Sequence, residues 1–139
     1  MNNSKIINKK NIIVLLTLAG SIFARLLLNI VFGCSLKTNL FLIIPSVILL
    51  TLNAFLILKK INPKITMYSI MITLMIESLA MLIGDKTLAN YCIIFYCLYV
   101  AILYADKIVI GFLGLANIIV GAVFYILYGN EIVSNSNLI

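Results

Sequence analysis

Five long apolar runs, separated by short polar breaks, dominate the pattern of this chain. They occupy residues 11–32, 39–58, 65–84, 88–104 and 108–128. Their lengths are 22, 20, 20, 17 and 21 residues, and an α-helix needs about 20, with a range of roughly 17–25, to cross the hydrocarbon of a bilayer. All five reach that range, the fourth only just. Transmembrane strands are excluded, because barrel strands are short and alternate apolar with polar positions, whereas these runs are continuously apolar. The pattern predicts an all-α fold. It is a polytopic transmembrane bundle of about five membrane-spanning helices, forming one integral membrane domain over residues 1–139.

The breaks at 33–38, 59–64, 85–87 and 105–107 are short, so consecutive helices must run antiparallel. Placing the N-terminus in the cytoplasm puts Lys5, Lys9, Lys10, Lys59, Lys60, Lys64 and Lys107 inside, and only Lys37 and Lys86 outside. Positive residues collect on the cytoplasmic side of membrane proteins. The expected arrangement is therefore a multi-pass protein of the cell membrane, N-terminus cytoplasmic, with the tail 129–139 outside. Tyr91 and Tyr128 then fall at the outer interface, and Tyr68 and Tyr104 at the inner one.

Composition agrees with lipid as the solvent. The chain is 64% hydrophobic and 10% charged, with a mean hydropathy of +1.22. Soluble domains run at about 45–50% apolar and about 25% charged, and a domain this small leaves too much surface in water to hide the excess. The net charge of +6 lies in the breaks between apolar runs, not on a basic face interleaved with aromatics, so it argues for membrane orientation and against nucleic acid.

Other readings of the chain's chemistry are poor. Cys34, Cys92 and Cys97 form no C-x-x-C pair and there is no histidine, which leaves no zinc site of the usual kind and no disulfide framework. The first run begins after basic residues, as a signal peptide would. It is longer than the roughly 7–15 residues of a signal core, Arg25 interrupts it, and the bulky Phe32 precedes Gly33-Cys34 where a lipoprotein cleavage site needs a small residue. With four acidic residues in all and no G-x-S-x-G or phosphate-binding loop, no enzyme activity, metal or cofactor is expected.

Two strongly charged side chains lie inside the runs, Arg25 in the first and Glu77 in the third. A charge at mid-membrane costs about 2.5–3.5 kcal/mol or more, so each needs a partner or water. At about 1.5 Å per residue, Arg25 lies about 21 Å into its helix and Glu77 about 18 Å into its own, so opposite charges reach nearly one level. Thr17, Ser21, Arg25 and Asn29 form a stripe at four-residue spacing, and Ser69, Thr73 and Glu77 form another, with Ala80 and Gly84 close to its line. Small and polar stripes are what membrane helices pack on. The expectation is that helices 1 and 3 meet along them with Arg25 against Glu77. Arg25, Glu77, Asn29 and Thr73 are thus the candidate residues, either as a pair that fixes helix register or as a ligand, ion or proton site.

The fifth run carries Gly111, and then Gly114, Asn117 and Gly121 at spacings of three and four, a smooth face for close helix packing. Gly114 and Gly121 are expected to tolerate alanine poorly and leucine hardly at all, whereas Ile118 and Ile119 project elsewhere. Pro45 should bend the second helix. The fourth is rich in aromatics, Tyr91, Phe95, Tyr96, Tyr99 and Tyr104, which read as core and interface packing, with an aromatic-lined pocket as the alternative.

The order of short motifs resembles a known family. Ser35-Leu36-Lys37 precedes helix 2, Ile44-Pro45-Ser46 lies inside it, and Lys59-Lys60 closes it. Asn90-Tyr91 opens helix 4, which ends in Leu103-Tyr104-Ala105-Asp106, and Tyr128-Gly129-Asn130-Glu131 follows helix 5. Over about residues 11–133 this resembles the polytopic, roughly six-helix N-terminal membrane region of bacterial methyl-accepting chemotaxis proteins. The resemblance implies a sensory input or anchor domain, a receptor part acting in signal transduction without catalysis of its own. The chain lacks the last membrane helix and the signalling hairpin of that pattern, so a truncated or free-standing relative is expected. The alternatives are a small transporter or transporter subunit, using Arg25 and Glu77 to hold its substrate, and a structural subunit. The expected partners are the lipid bilayer and, left open, a homo-oligomer or a larger membrane complex.

The charge count makes a topological prediction. A reporter fused after Leu58 should read as cytoplasmic and one fused after Ile139 as external. A cytoplasmic C-terminus would contradict it and place the miscount at 88–104.

Overall fold

The computed structural model describes residues 3–84, 91–92 and 95–136. They form an all-α bundle, without strands among the described residues. In chain order the helices are α1 (Asn3–Val31), α2 (Leu36–Leu58), α3 (Pro63–Gly84), α4 (Tyr96–Tyr104) and α5 (Lys107–Ser136). Four of them, α1, α2, α3 and α5, are long and apolar enough to cross a membrane. The expected fourth crossing, 88–104, falls partly outside the described residues.

Local chemistry sets the boundaries. Gly33 takes a left-handed φ of 65°, and its N–H bonds the Ile30 carbonyl while that of Cys34 bonds the Asn29 carbonyl. This is the Schellman closure, which satisfies carbonyls a helix end would leave open. Ser35 then caps α2, its side chain accepting from the Thr38 N–H. The same closure recurs after α2. Lys60 is left-handed at φ 53°, with Lys60 and Ile61 N–H groups bonding Ile57 and Leu56. Asn62 accepts from the Lys64 N–H, and Pro63 opens α3 at the one position where its missing donor costs nothing. Between α4 and α5, Ala105 is left-handed and Asp106 Oδ1 accepts from the Ile108 and Val109 N–H groups. Such tight links hold neighbouring helices antiparallel.

Two ends differ from the sequence expectation. α1 begins well before residue 11 and α5 continues past 128 to Ser136. Nothing in Ser4–Lys10 or at Asn130–Glu131 breaks a helix, and a helix once formed runs on until a breaker stops it. Gly129 is tolerated within α5, under the Tyr125 ring. At about 1.5 Å per residue, α1 and α5 each exceed 40 Å, longer than the roughly 30 Å of hydrocarbon, so their charged and polar ends reach into the interface.

α3 is the centre of the bundle. It packs most broadly on α2, then on α1, and also on α4, and Met67, Ile70, Met71, Leu74 and Leu82 are all buried. α1 presents Asn11, Val14, Leu18, Ile22 and Asn29 inward, with Arg25 half-buried on the same line. This corrects the expected polar face of α1. Thr17 is exposed and bonds its own helix at the Ile13 carbonyl, and Ser21 does the same at Leu18, so both hydroxyls are satisfied without a neighbour. The α1–α3 contact is thus mainly apolar. α2 runs unbroken through Pro45.

α4 and α5 form a hairpin. Leu98 approaches Gly114 and Tyr91 reaches Gly121, pairs placed symmetrically about Asp106. The buried line of α5 is Val109, Leu113, Asn117 and Gly121, with Gly114 at its flank. Outward positions are strongly apolar; Ile126, for example, is 80% exposed, a surface that lipid covers and water would not.

The glycine positions differ from the expectation drawn from spacing. A Cβ on Gly114 would meet Leu98 Cδ2 at 3.7 Å, and one on Gly121 would meet Tyr91 Oη at 3.4 Å. Both are ordinary contacts that leave room for a methyl group. Gly114→Ala and Gly121→Ala should therefore lie within about 0.5 kcal/mol of the parent, as should Ile119→Leu. Gly121→Leu should be clearly destabilising, because its branch displaces the Tyr91 ring and the hydrogen bond beneath it. Thermal unfolding of the detergent-solubilised variants checks this, and a Gly121→Leu variant as stable as Ile119→Leu would contradict it.

Candidate functional site: an intramembrane polar seam and cavity

The polar residues of α3 are answered by α2. Asn53 Nδ2 donates to Thr73 Oγ1 at 2.7 Å, Ser46 Oγ shares its one proton between Glu77 Oε2 at 2.7 Å and the Leu42 carbonyl of its own helix, and Thr38 Oγ1 donates to the Gly84 carbonyl at 3.3 Å. The three bonds lie in order along an antiparallel seam. Thr73 and Glu77 are one turn apart on α3, and Ser46 and Asn53 two turns apart on α2, so all four side chains share the interface. In an apolar interior an unmade hydrogen bond costs more than a made one contributes, and that asymmetry locks the register of the two helices.

Glu77 is 2% exposed. Its Oε2 is held by Ser46, whereas Oε1 has no hydrogen-bond partner among the described residues. On its other side Glu77 lines a cavity of about 210 Å³ between α1, α3 and α4. Ser21 and Arg25 of α1, Ser78 of α3 and Tyr96 of α4 share its wall. Leu18, Leu74 and Met81 complete it. Arg25 and Glu77 thus reach one cavity from two helices, and the hydrogen bond that positions the carboxyl comes from Ser46. Ser78 Oγ also lies 3.2 Å from Cys97 Sγ, a contact that ties α3 to α4 beside the cavity.

The other candidates lie elsewhere. Thr73 is in the α2–α3 seam and does not line the cavity. Asn29 donates to Asn39 Oδ1 at 2.9 Å and joins α1 to α2. Gly114, Asn117 and Gly121 are on α5, away from the cavity. Asn117 is buried, and its Nδ2 has no partner among the described residues. Among those residues no three of His, Cys, Asp and Glu gather as metal ligands would.

Ser46 and Asn53 of the seam, Ser78 of the cavity wall and Cys97 beside it are absent from the sequence-based candidates, and Tyr96 enters them only through the aromatic-pocket alternative for the fourth run. A signal for two of them exists: Ser46 and Asn53 are polar positions seven residues apart, hence on one helix face, in a run whose other polar side chains are only Asn39 and Thr51. Ser78 and Cys97 carry no such mark, since small residues of this kind are common in membrane helices.

Comparison with protein-family models, with curated proteins and with solved structures finds no match.

The seam predicts an unequal response to two similar truncations. Ser46→Ala leaves a buried carboxyl without its donor and should cost about 1–3 kcal/mol. Thr51→Ala removes an exposed hydroxyl bonded only to its own helix and should cost a few tenths. Equal losses of thermal stability would show that the Ser46–Glu77 bond contributes nothing.

Proposed function

We propose that this chain is a non-enzymatic membrane domain of sensor or anchor type, lying in the cell membrane with its N-terminus cytoplasmic and its C-terminus outside, and that the cavity between α1, α3 and α4 receives its ligand. The observation that carries this reading is Glu77: a carboxyl buried at the centre of an apolar bundle, held through one oxygen and without a donor among the described residues at the other, in the wall of a cavity that Arg25 also lines. Ionisable groups are expensive in lipid and concentrate where membrane proteins bind or move something. The resemblance to the membrane input region of chemotaxis receptors points the same way. Chemistry on a substrate has little to work with here, since the chain has no histidine and four acids.

The cavity wall also offers a route for signal output. Tyr96 belongs to α4, and the Ser78–Cys97 contact joins α4 to α3 at the same place. A ligand that binds the closed bundle stabilises it by mass action, so occupancy would change how readily α4 parts from α3.

Cys97 reports on this directly, because it is fully buried and alkylates only when that contact opens. In lipid nanodiscs, with Cys34→Ser and Cys92→Ser leaving one thiol, maleimide labelling is followed against a panel of small amines, organic acids, zwitterions and sugars. At least one class should slow labelling severalfold, and sealed proteoliposomes should not accumulate that solute. Accumulation would establish a carrier instead, and indifference to every class would overturn the ligand reading.

A further inference from the structure

Beside the seam, on its lipid-facing side, α2 and α3 leave a groove of about 640 Å³. Leu40 and Ile44 of α2 and Ile76 and Ile83 of α3 are its exposed walls, and Pro45, Leu79 and Ala80 are its half-buried floor. Among the described residues its lining holds one polar group, Lys37 in the first turn of α2. Lys37 is exposed, and its ammonium makes no hydrogen bond or ion pair with another described residue. At about 1.5 Å per residue the stretch from Lys37 to Pro45 measures about 12 Å, most of the roughly 15 Å of hydrocarbon in one leaflet. The groove thus runs from the membrane surface toward the bilayer centre, with a cation at its surface end.

An apolar groove between membrane helices suits either another helix or an acyl chain. Membrane helices associate through small residues that let backbones approach, and through hydrogen bonds across the contact. This groove offers a new helix neither. Of the small residues that make such contacts its lining has Ala80 alone, and the polar side chains of both helices at this level, Ser46 and Glu77, are turned into the seam. A helix would also have to bring an acidic side chain to Lys37. A phospholipid already carries its phosphate at that depth, and its flexible chain can follow bulky walls that a rigid helix cannot. Net charge matters, because the choline of a zwitterionic headgroup offsets its own phosphate, whereas a lysine at the surface of an anionic membrane is attracted outright. We propose that the α2–α3 groove seats an acyl chain of an anionic phospholipid, with the headgroup phosphate on Lys37. The groove shares no lining residue with the α1–α3–α4 cavity, so this site stands apart from the ligand reading of that cavity.

The chain has no tryptophan, which makes a site-specific test simple. Ile44→Trp places a single fluorophore in the groove wall, and Ile118→Trp places one on the outward face of α5; both side chains are exposed and can be enlarged without disturbing the bundle. The full chain is placed in nanodiscs of phosphatidylcholine and phosphatidylglycerol, with one lipid or the other brominated on its acyl chains, and quenching reports which lipid touches each tryptophan. Phosphatidylglycerol should associate at Ile44→Trp about fivefold more strongly than phosphatidylcholine, the worth of one lysine at an anionic surface. Ile118→Trp should not distinguish the two. Adding Lys37→Gln should erase the preference, and adding Lys60→Gln, beyond the other end of α2, should leave it. Equal association of both lipids at Ile44→Trp would overturn the proposal, as would a preference that survives Lys37→Gln or is matched at Ile118→Trp. Quenching by neither lipid at Ile44→Trp would show a groove covered by protein, and would overturn the lipid in favour of a helix or a second copy of the chain.

Discussion

A carboxyl in the middle of an apolar helix imposes its terms on everything around it. Glu77 cannot turn to lipid, so α3 must be the helix that other helices surround. It can be held only by a donor that reaches it through a tightly packed interface, which is the role of Ser46 on α2. Once that bond is made, antiparallel packing leaves little choice of register, and Asn53 falls opposite Thr73 and Thr38 opposite Gly84. The apolar contact between α1 and α3 then fills the other side of α3. The cavity is where that filling stops, because Arg25 and Ser21 stand where leucines would otherwise close the gap.

The helices divide by how they are held. α1, α2 and α3 enclose one another, with polar bonds from Asn11 to the Pro63 carbonyl and from Asn29 to Asn39 pinning α1 at both ends. α5 instead leans on α4 through a narrow line of small and apolar residues, leaving Phe112, Ile118 and Ile126 outward. Among the described residues its broadest packing is on α4, the helix that also supplies Tyr96 to the cavity wall. A change at the cavity has a short mechanical path to α5.

Much of this architecture is legible in the residues. The long apolar runs dictate helices, Gly33-Cys34-Ser35 and Asn62-Pro63 dictate where two of them stop and start, and Glu77 with Thr73 marks the face of α3 that must be buried. The partner of that face is not legible in the same way. Periodicity shows which side of a helix is polar, but not which neighbour answers it. Thr17 and Ser21 look like an answering stripe because a hydroxyl's partner is invisible in sequence, and both spend theirs on their own backbone. Ser46, isolated in a run of leucine and isoleucine, is the true partner. The glycines of α5 mislead for a related reason: spacing identifies a smooth face, while the tolerance of each glycine depends on whether a flexible tip such as Leu98 or a hydrogen-bonded ring such as Tyr91 lies against it.

The claim on which the rest depends is that α3 turns its polar face to α2, and disulfide trapping in native membranes tests it most directly. With Cys34, Cys92 and Cys97 replaced by serine, Asn53→Cys combined with Thr73→Cys should cross-link rapidly under mild oxidation, since those side chains are in hydrogen-bond contact. Thr17→Cys combined with Thr73→Cys should not, because Thr17 faces away from the bundle. Rapid trapping of the second pair and not the first would put the polar face of α3 against α1 and contradict this account.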